Sequence, residues 1–326
     1  MNNTPTVIVE NLSRVYETSV GVIKRRKRAI EALRDVSLQV HPSEIFGLVG
    51  PNGAGKTTLI KILTTLLIPT QGRARVLGFD VARQERQIRP RINFIFGGER
   101  GLYWRLSGQD NLRYFADLYR VDRKIAEARV ERLLNMVGLW ERREERVEGY
   151  SKGMKQLLHV AKVLINEPQV LFLDEPTIGL DPVAARALRE LIGEIRGRGV
   201  TVFLTSHYMW EMETLCDRVA VLKEGQIIAL DTPANLKQFV RGLKVVELQV
   251  LGGLNGTDER LRSLPYVDSV SVSASGHVQT LRVQTNDAQA TVAEIRAALP
   301  DADLSRLIVR PPNLEDAYVK LVGGEA

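Results

Sequence analysis

The segment Gly50-Pro51-Asn52-Gly53-Ala54-Gly55-Lys56-Thr57-Thr58 restricts this chain more than any other part of it. It meets the pattern G-x-x-x-x-G-K followed by Ser or Thr at every position. The apolar run Ile45-Phe46-Gly47-Leu48-Val49 precedes it, and Leu59-Ile60-Lys61-Ile62-Leu63 follows with apolar residues at helical spacing. The pattern therefore joins a buried strand to the N-terminus of a helix. Glycines let backbone N–H groups curl round an anion, and the helix aims its positive end at the same point. Lys56 reaches terminal phosphates, and Thr57 offers a hydroxyl to the magnesium ion carried by a nucleoside triphosphate. Gly50, Asn52, Gly53, Ala54, Gly55, Lys56, Thr57 and Thr58 are thus the candidate nucleotide-binding residues.

A second segment supplies the other half of such a site. Val170-Leu171-Phe172-Leu173 is a continuous apolar run that closes on Asp174 and Glu175, as the buried strands of a parallel sheet do. Asp174, at the strand tip, is placed to hold magnesium through water beside Thr57, and Glu175 faces the position of an attacking water. A further strand, residues 200–205, ends at Ser206-His207. A lone histidine is usually structural. His207 follows a strand tip on the edge where ligands bind in open α/β sheets, so a phosphate contact is the better reading. His159 and His277 lack that context and read as ordinary residues.

Composition bounds the rest. With 326 residues, 44% of them hydrophobic, the chain is expected to build two cores. A formal charge of +6 is a small imbalance between 45 basic and 39 acidic residues and selects no partner. The single cysteine, Cys216, leaves no internal disulfide, fits a reducing compartment and reads as a buried hydrophobe. No run approaches the roughly 18 apolar residues of a membrane span, and the N-terminus lacks the basic-then-apolar plan of a signal peptide. The expectation is a soluble, cytoplasmic chain.

Strands are expected at residues 6–10, 38–40, 72–78 and 92–96, and one helical stretch over 110–139, where apolar residues recur at three and four. The basic run Lys24-Arg25-Arg26-Lys27-Arg28 reads as a solvated loop between two strands; contact with lipid head groups or a partner protein is the functional alternative. Nucleic acid is not expected there, because no aromatic residues are interleaved for stacking. After Asp231-Thr232-Pro233 a short helix leads to a change of texture near Leu243. Residues 245–309 then read as strand, helix, strand, strand, helix, strand, the order of a split βαβ unit. Pro311-Pro312 stops the last strand and Asn313 caps the final helix.

Taken together, these elements resemble the ATP-binding subunit of an ABC transporter over about residues 5–235. Tyr150-Ser151-Lys152-Gly153-Met154-Lys155-Gln156 is similar to the family's signature loop. It departs from the commonest form, LSGGQ, with Tyr150 for Leu, Lys152 for the first Gly and Met154 for Gln. The version S-x-G-M-x-Q is similar to that of the exporter branch handling drugs, lipids and polysaccharides. Gly179-Leu180-Asp181 resembles the loop that couples the two sites of a dimer, His207 falls where the switch histidine does, and Tyr16 is similar to the aromatic residue that stacks on adenine.

The resemblance implies an α/β fold: a P-loop NTPase core of ABC ATPase type over residues 1–240, with a helical subdomain at about 98–165. A small C-terminal α+β accessory domain would occupy 241–326. It implies ATP and Mg2+ as ligands and a head-to-tail homodimer in which Ser151, Gly153 and Met154 of one chain cover ATP on the phosphate loop of the other. Glu175 would polarise water and His207 steady the γ-phosphate. A separate multi-span membrane permease would be the partner, holding the chain at the inner face of the membrane with peripheral contact to its surface. Where most relatives carry a glutamine, this chain has Gly98, and Glu99 is either a substitute for its side chain or a solvated loop carboxylate. The alternative, a soluble ABC-type ATPase acting on ribosomes or nucleic acid, usually needs two phosphate loops in one chain or a long coiled-coil insert.

Overall fold

The structure is a computed structural model that describes residues 4–20, 26–96, 101–251, 253–254, 256–300 and 306–323. It divides into two compact units, Met1–Thr232 and Pro233–Ala326. The first opens on a long antiparallel hairpin, β1 (Val7–Val20) and β2 (Arg26–Val40), then enters the interior at β3 (Ile45–Val49) and turns into α1 (Lys56–Leu63). β4 (Gln71–Val76) and β5 (Phe79–Asp80) complete a sheet of order β2-β1-β4-β5. After the single turn of α2 (Glu85–Ile88), β6 (Ile92–Ile95) leads to α3 (Gly108–Leu118), α4 (Arg123–Met136) and α5 (Lys152–Val163). The unit closes with β7 (Val170–Asp174), α6 (Pro182–Gly197), β8 (Thr201–Thr205), α7 (Met209–Leu215), β9 (Arg218–Lys223) and β10 (Gln226–Asp231).

The second sheet has the order β10-β9-β3-β8-β7-β6 and is parallel except for β10. Every residue of β3, β7 and β8 is buried, which is why their sequences are continuous apolar runs rather than alternations. Phe46, Phe203 and Phe172 stand opposite one another on the three adjacent strands, with ring centroids 5.2 and 5.7 Å apart. Their rings pack into the same core as Leu59, Ile60 and Leu63 of α1. Two residues further on, Thr205 pairs with both Leu48 and Asp174.

Two local expectations need correction. The helical stretch at 110–139 is two helices, because Arg120 takes a left-handed φ of 56° and Asp122 caps α4 by accepting from the Lys124 N–H at 2.9 Å. The basic run is not wholly a loop: Arg26, Lys27 and Arg28 continue β2 and pair with Val20, Ser19 and Thr18, while Lys24 and Arg25 lie outside the described residues. Antiparallel backbone pairing needs no apolar alternation, so the hairpin outruns the pattern that reveals a strand in sequence. Among the described residues no helix is long and apolar enough to cross a membrane.

The second unit starts with α8 (Pro233–Leu236) and continues as β11 (Lys244–Leu251), α9 (Thr257–Arg262), β12 (Val267–Ser275), β13 (Val278–Thr285), α10 (Ala288–Ala298), β14 (Leu307–Arg310) and α11 (Leu314–Gly323). Its sheet is antiparallel, of order β12-β13-β11-β14. Alternate residues Val246, Leu248 and Val250 of β11 join Leu281 and Val283 of β13 in a core with Leu261 of α9 and Ile295 of α10. The α/β core and the α+β second unit expected from the sequence are both present.

The last strand stops before Pro311, and Asn313 and Asp316 cap α11 reciprocally: Asn313 Oδ1 accepts from the Asp316 N–H at 3.1 Å and Asp316 Oδ2 from the Asn313 N–H at 2.8 Å. Arg310 meets the same carboxylate through two N–H groups, at 2.6 and 3.1 Å, and Asp316 is 4% exposed. Removing one partner of a buried, bidentate pair leaves an uncompensated charge. Arg310→Ala should destabilise the second unit by about 3 kcal/mol, seen in urea unfolding as a transition of the second unit at lower denaturant. An unchanged unfolding curve would show the pair to be idle.

Candidate nucleotide site

The register of the parallel sheet puts three tips side by side: the end of β3, which opens the phosphate loop, the end of β8 and the end of β7. Gly55 caps α1 at φ 107°. A Cβ there would lie 2.3 Å from the Ala32 carbonyl oxygen, and one at Gly50 would lie 2.2 Å from that of Leu222. These two glycines are therefore required by close backbone approach as well as by the turn. Lys56 Nζ donates to the carbonyls of Gly50 at 2.6 Å and Pro51 at 3.1 Å. Burial pushes its ammonium pKa down, and the charges of Glu175 and Asp174 oppose that shift.

Asp174 is 7% exposed and uses both oxygens. Thr57 Oγ1 donates to Oδ2 at 3.0 Å, and Thr205 Oγ1 donates to Oδ1 at 2.6 Å. Glu175 follows in the left-handed region at φ 52°. Its N–H donates to Thr205 O at 3.1 Å and to Thr205 Oγ1 at 3.0 Å. A carboxylate residue held there stores on the order of 1 kcal/mol of strain, which persists only where the surroundings fix it. His207 Nε2 stands 2.6 Å from Glu175 Oε1.

Ala32, the residues from Asn52 to Thr58 and Glu175 line a cavity of about 180 Å3. A larger one, about 720 Å3, adjoins it through Thr57 and Glu175 and is walled by Phe94, His159, Lys162 and Asp174. Neither cavity includes Tyr16, Ser151, Gly153, Met154 or Asp181. Tyr16 lies on β1 opposite Ile30, with the Arg14 guanidinium 4.8 Å from its ring centroid. Ser151 caps α5, accepting from the Met154 N–H at 3.2 Å. Asp181 caps α6, accepting from the N–H groups of Val183 and Ala184 at 3.0 Å each. The two helix N-termini lie against each other at Gly153, where a Cβ would come within 2.5 Å of Ala184 Cβ. Gly98 and Glu99 lie outside the described residues.

Sequence reading missed Thr205, Ala32 and Glu211. Thr205 was legible in principle, since it ends β8 as Asp174 ends β7. Ala32 carries no local signal, because only the packing of distant segments brings it to the phosphate loop; the buried Glu211, which lines neither cavity, carries none either.

His159, which lacked any motif in the sequence, is 3% exposed, and its Nε2 has no hydrogen-bond partner among the described residues. Burial first, and then the neighbouring Lys162, push the imidazole pKa down to about 4; burial likewise lowers the Lys162 ammonium to about 8. A histidine that stays neutral when folded but protonates when unfolded contributes stability above its unfolded pKa of 6.5, lost as pH falls toward about 4. Between pH 7 and pH 5 the loss should be about 2 kcal/mol. In His159→Leu the fall in melting temperature over that interval should be smaller than in the parent chain; an equal fall would place the acid sensitivity elsewhere.

Comparison with known proteins agrees with this geometry. Residues 33–178 match the family model described as ABC transporter. The chain is 35% identical over 324 residues to the Nod factor export ATP-binding protein I of Neorhizobium galegae, covering 99% of this chain and 87% of that one. It is 35% identical over 325 residues to the daunorubicin resistance ATP-binding protein DrrA3 of Streptomyces coeruleorubidus, covering 95% and 97%. A solved ATP-binding subunit of an ABC transporter superposes with a TM-score of 0.61 at 30% identity, over 72% of this chain and 92% of that one. A phosphate loop, an acid pair and a histidine on one sheet edge, with relatives matched over nearly the whole chain, make this protein an ATPase of the ABC transporter family, a member of its ATP-binding subunits.

Proposed function

We propose that this chain hydrolyses ATP to energise export of a substrate through a separate membrane-spanning permease, at the inner face of the membrane. The observation that carries the ATPase half is the clasp of Thr57 and Thr205 on Asp174, with Glu175 and His207 in contact beside it. The export half is supported by relatives named for Nod factor export and daunorubicin resistance.

In this reading the backbone N–H groups from Asn52 to Thr58 and the Lys56 ammonium hold the phosphates, and Tyr16 stacks on the base. Thr57 and Asp174 offer hard oxygen donors 3.0 Å apart, a donor set that fits Mg2+, which would neutralise phosphate charge. Glu175 accepts the proton of the attacking water, and His207, whose Nε2 meets Glu175 Oε1 here, is the group that steadies the γ-phosphate. Positioning and fixed charges do most of the work in such a transfer. Ser151, Gly153 and Met154, absent from their own chain's cavity, complete the site of a second copy in a head-to-tail homodimer. Asp181, packed beside them at the α6 N-terminus, links the two sites.

The permease is proposed to dock on the face formed by Tyr103, Trp104 and Tyr114, large apolar side chains 46%, 48% and 42% exposed. Exposed aromatics gathered in one place mark interaction surfaces. The second unit is read as an accessory domain that stabilises or regulates the dimer.

Two substitutions test the chemistry. Lys56→Ala should abolish tight ATP binding. Glu175→Gln should bind ATP as the parent does, lower turnover by about 100-fold or more, and run as a dimer in size-exclusion chromatography with ATP; full turnover would refute Glu175 as the base. For the partner, the tagged chain should recover one multi-span protein from detergent-solubilised membranes of its own cell, and Trp104→Glu should reduce that recovery. Recovery of ribosomes or nucleic acid without a membrane protein would overturn the export reading.

A further inference from the structure

The loop after Asp174 and the loop after Thr205 carry Glu175 and His207, and they face each other across a cavity of about 110 Å3. Beyond the strand tips they are joined a second time. Glu211, in the first turn of α7, is 2% exposed. Its Oε2 accepts from Thr177 Oγ1 at 2.9 Å and from Ser206 Oγ at 2.8 Å. Its Oε1 accepts from Arg189 Nη1 of α6 at 3.1 Å, and the same guanidinium lies 4.2 Å from the Trp210 ring centroid. Ser206 Oγ also accepts from the Tyr208 N–H at 3.0 Å. One carboxylate therefore ties a point two residues past Glu175 to the residue just before His207.

We infer that Glu211 is a positioning residue for hydrolysis, a buried brace that holds the Glu175 loop and the His207 loop at a fixed separation. The inference rests on the proposed reading of Glu175 and His207 as the hydrolytic pair. Glu175 occupies a backbone conformation at φ 52° that its surroundings must enforce. Thr205 enforces it from one side, through two bonds to the Glu175 N–H. The brace closes the other side. A charged acceptor shared by two hydroxyls is stronger than a neutral one, and Arg189 compensates its charge, so the link is rigid without being open to water. None of Thr177, Ser206, Glu211 and Arg189 lines the cavity bounded by Asn52 to Thr58. Loosening the brace should consequently slow the chemical step and leave nucleotide affinity alone.

Thr177→Val and Ser206→Ala test this in the full-length protein, because each removes one hydroxyl and leaves the Glu211–Arg189 pair in place. The double variant should lose about tenfold or more in kcat, with ADP affinity by calorimetry within about twofold of the parent. Glu211→Ala added to that pair should lower the melting temperature further but cost little more in kcat, since the same link is already broken. A residue with only a structural role would lower the melting temperature and leave kcat intact. Parent-like kcat in Thr177→Val with Ser206→Ala would overturn the inference, as would a loss of ADP affinity equal to the loss of kcat. Glu175→Gln measured alongside separates the two failures. If it stops turnover while the double variant keeps it, only the brace falls; if it keeps full turnover, the reading of the pair falls and the brace with it.

Discussion

The register of β3, β8 and β7 is the constraint on which the site depends. Side chains alternate across a strand, so a slip of one residue would send Thr205 or Asp174 to the opposite face. Phe46, Phe203 and Phe172 prevent that slip: each ring faces the core beside α1, and their row fixes the three strands two or three residues upstream of the tips. With that row in place, Thr205 can reach Asp174, and α1, packed on the same face, brings Thr57 to the other oxygen. The hydrophobic effect that assembles the core thus sets distances among polar groups that it does not itself favour.

Those polar groups are arranged so that no buried charge stands alone. Asp174 has a hydroxyl on each oxygen, Lys56 spans two loop carbonyls, and Glu211 is balanced by Arg189. A buried carboxylate without such partners would be strongly disfavoured. His159 departs from this pattern, since its Nε2 has no hydrogen-bond partner among the described residues; burial lowers its pKa and that of Lys162 where they line the larger cavity.

The second unit reaches its stability separately. Its core is one face of an antiparallel sheet covered by α9 and α10. On the other face Arg282 and Arg310 bridge Glu247, Glu315 and Asp316. Strand alternation in β11 and β13 made its elements readable, whereas the charged pair between β13 and α11 was not, because nothing in the linear order links Arg282 to Glu315.

The sequence by itself determined the phosphate loop, the acid pair at the end of β7 and the histidine after β8, because each is a local pattern tied to a strand end. It also determined the parallel core, since strands buried on both faces leave continuous apolar runs. Where structure rests on backbone pairing alone, as in the extension of the β1–β2 hairpin, or on a capped break between two helices, as at Arg120, apolar periodicity carried no mark of it. Tertiary structure alone decided which hydroxyls hold Asp174, why Gly50 and Gly55 admit no Cβ, and how Glu211 ties two loops together. Those facts depend on contacts between segments distant in the chain, and no local propensity encodes the angle at which such segments meet.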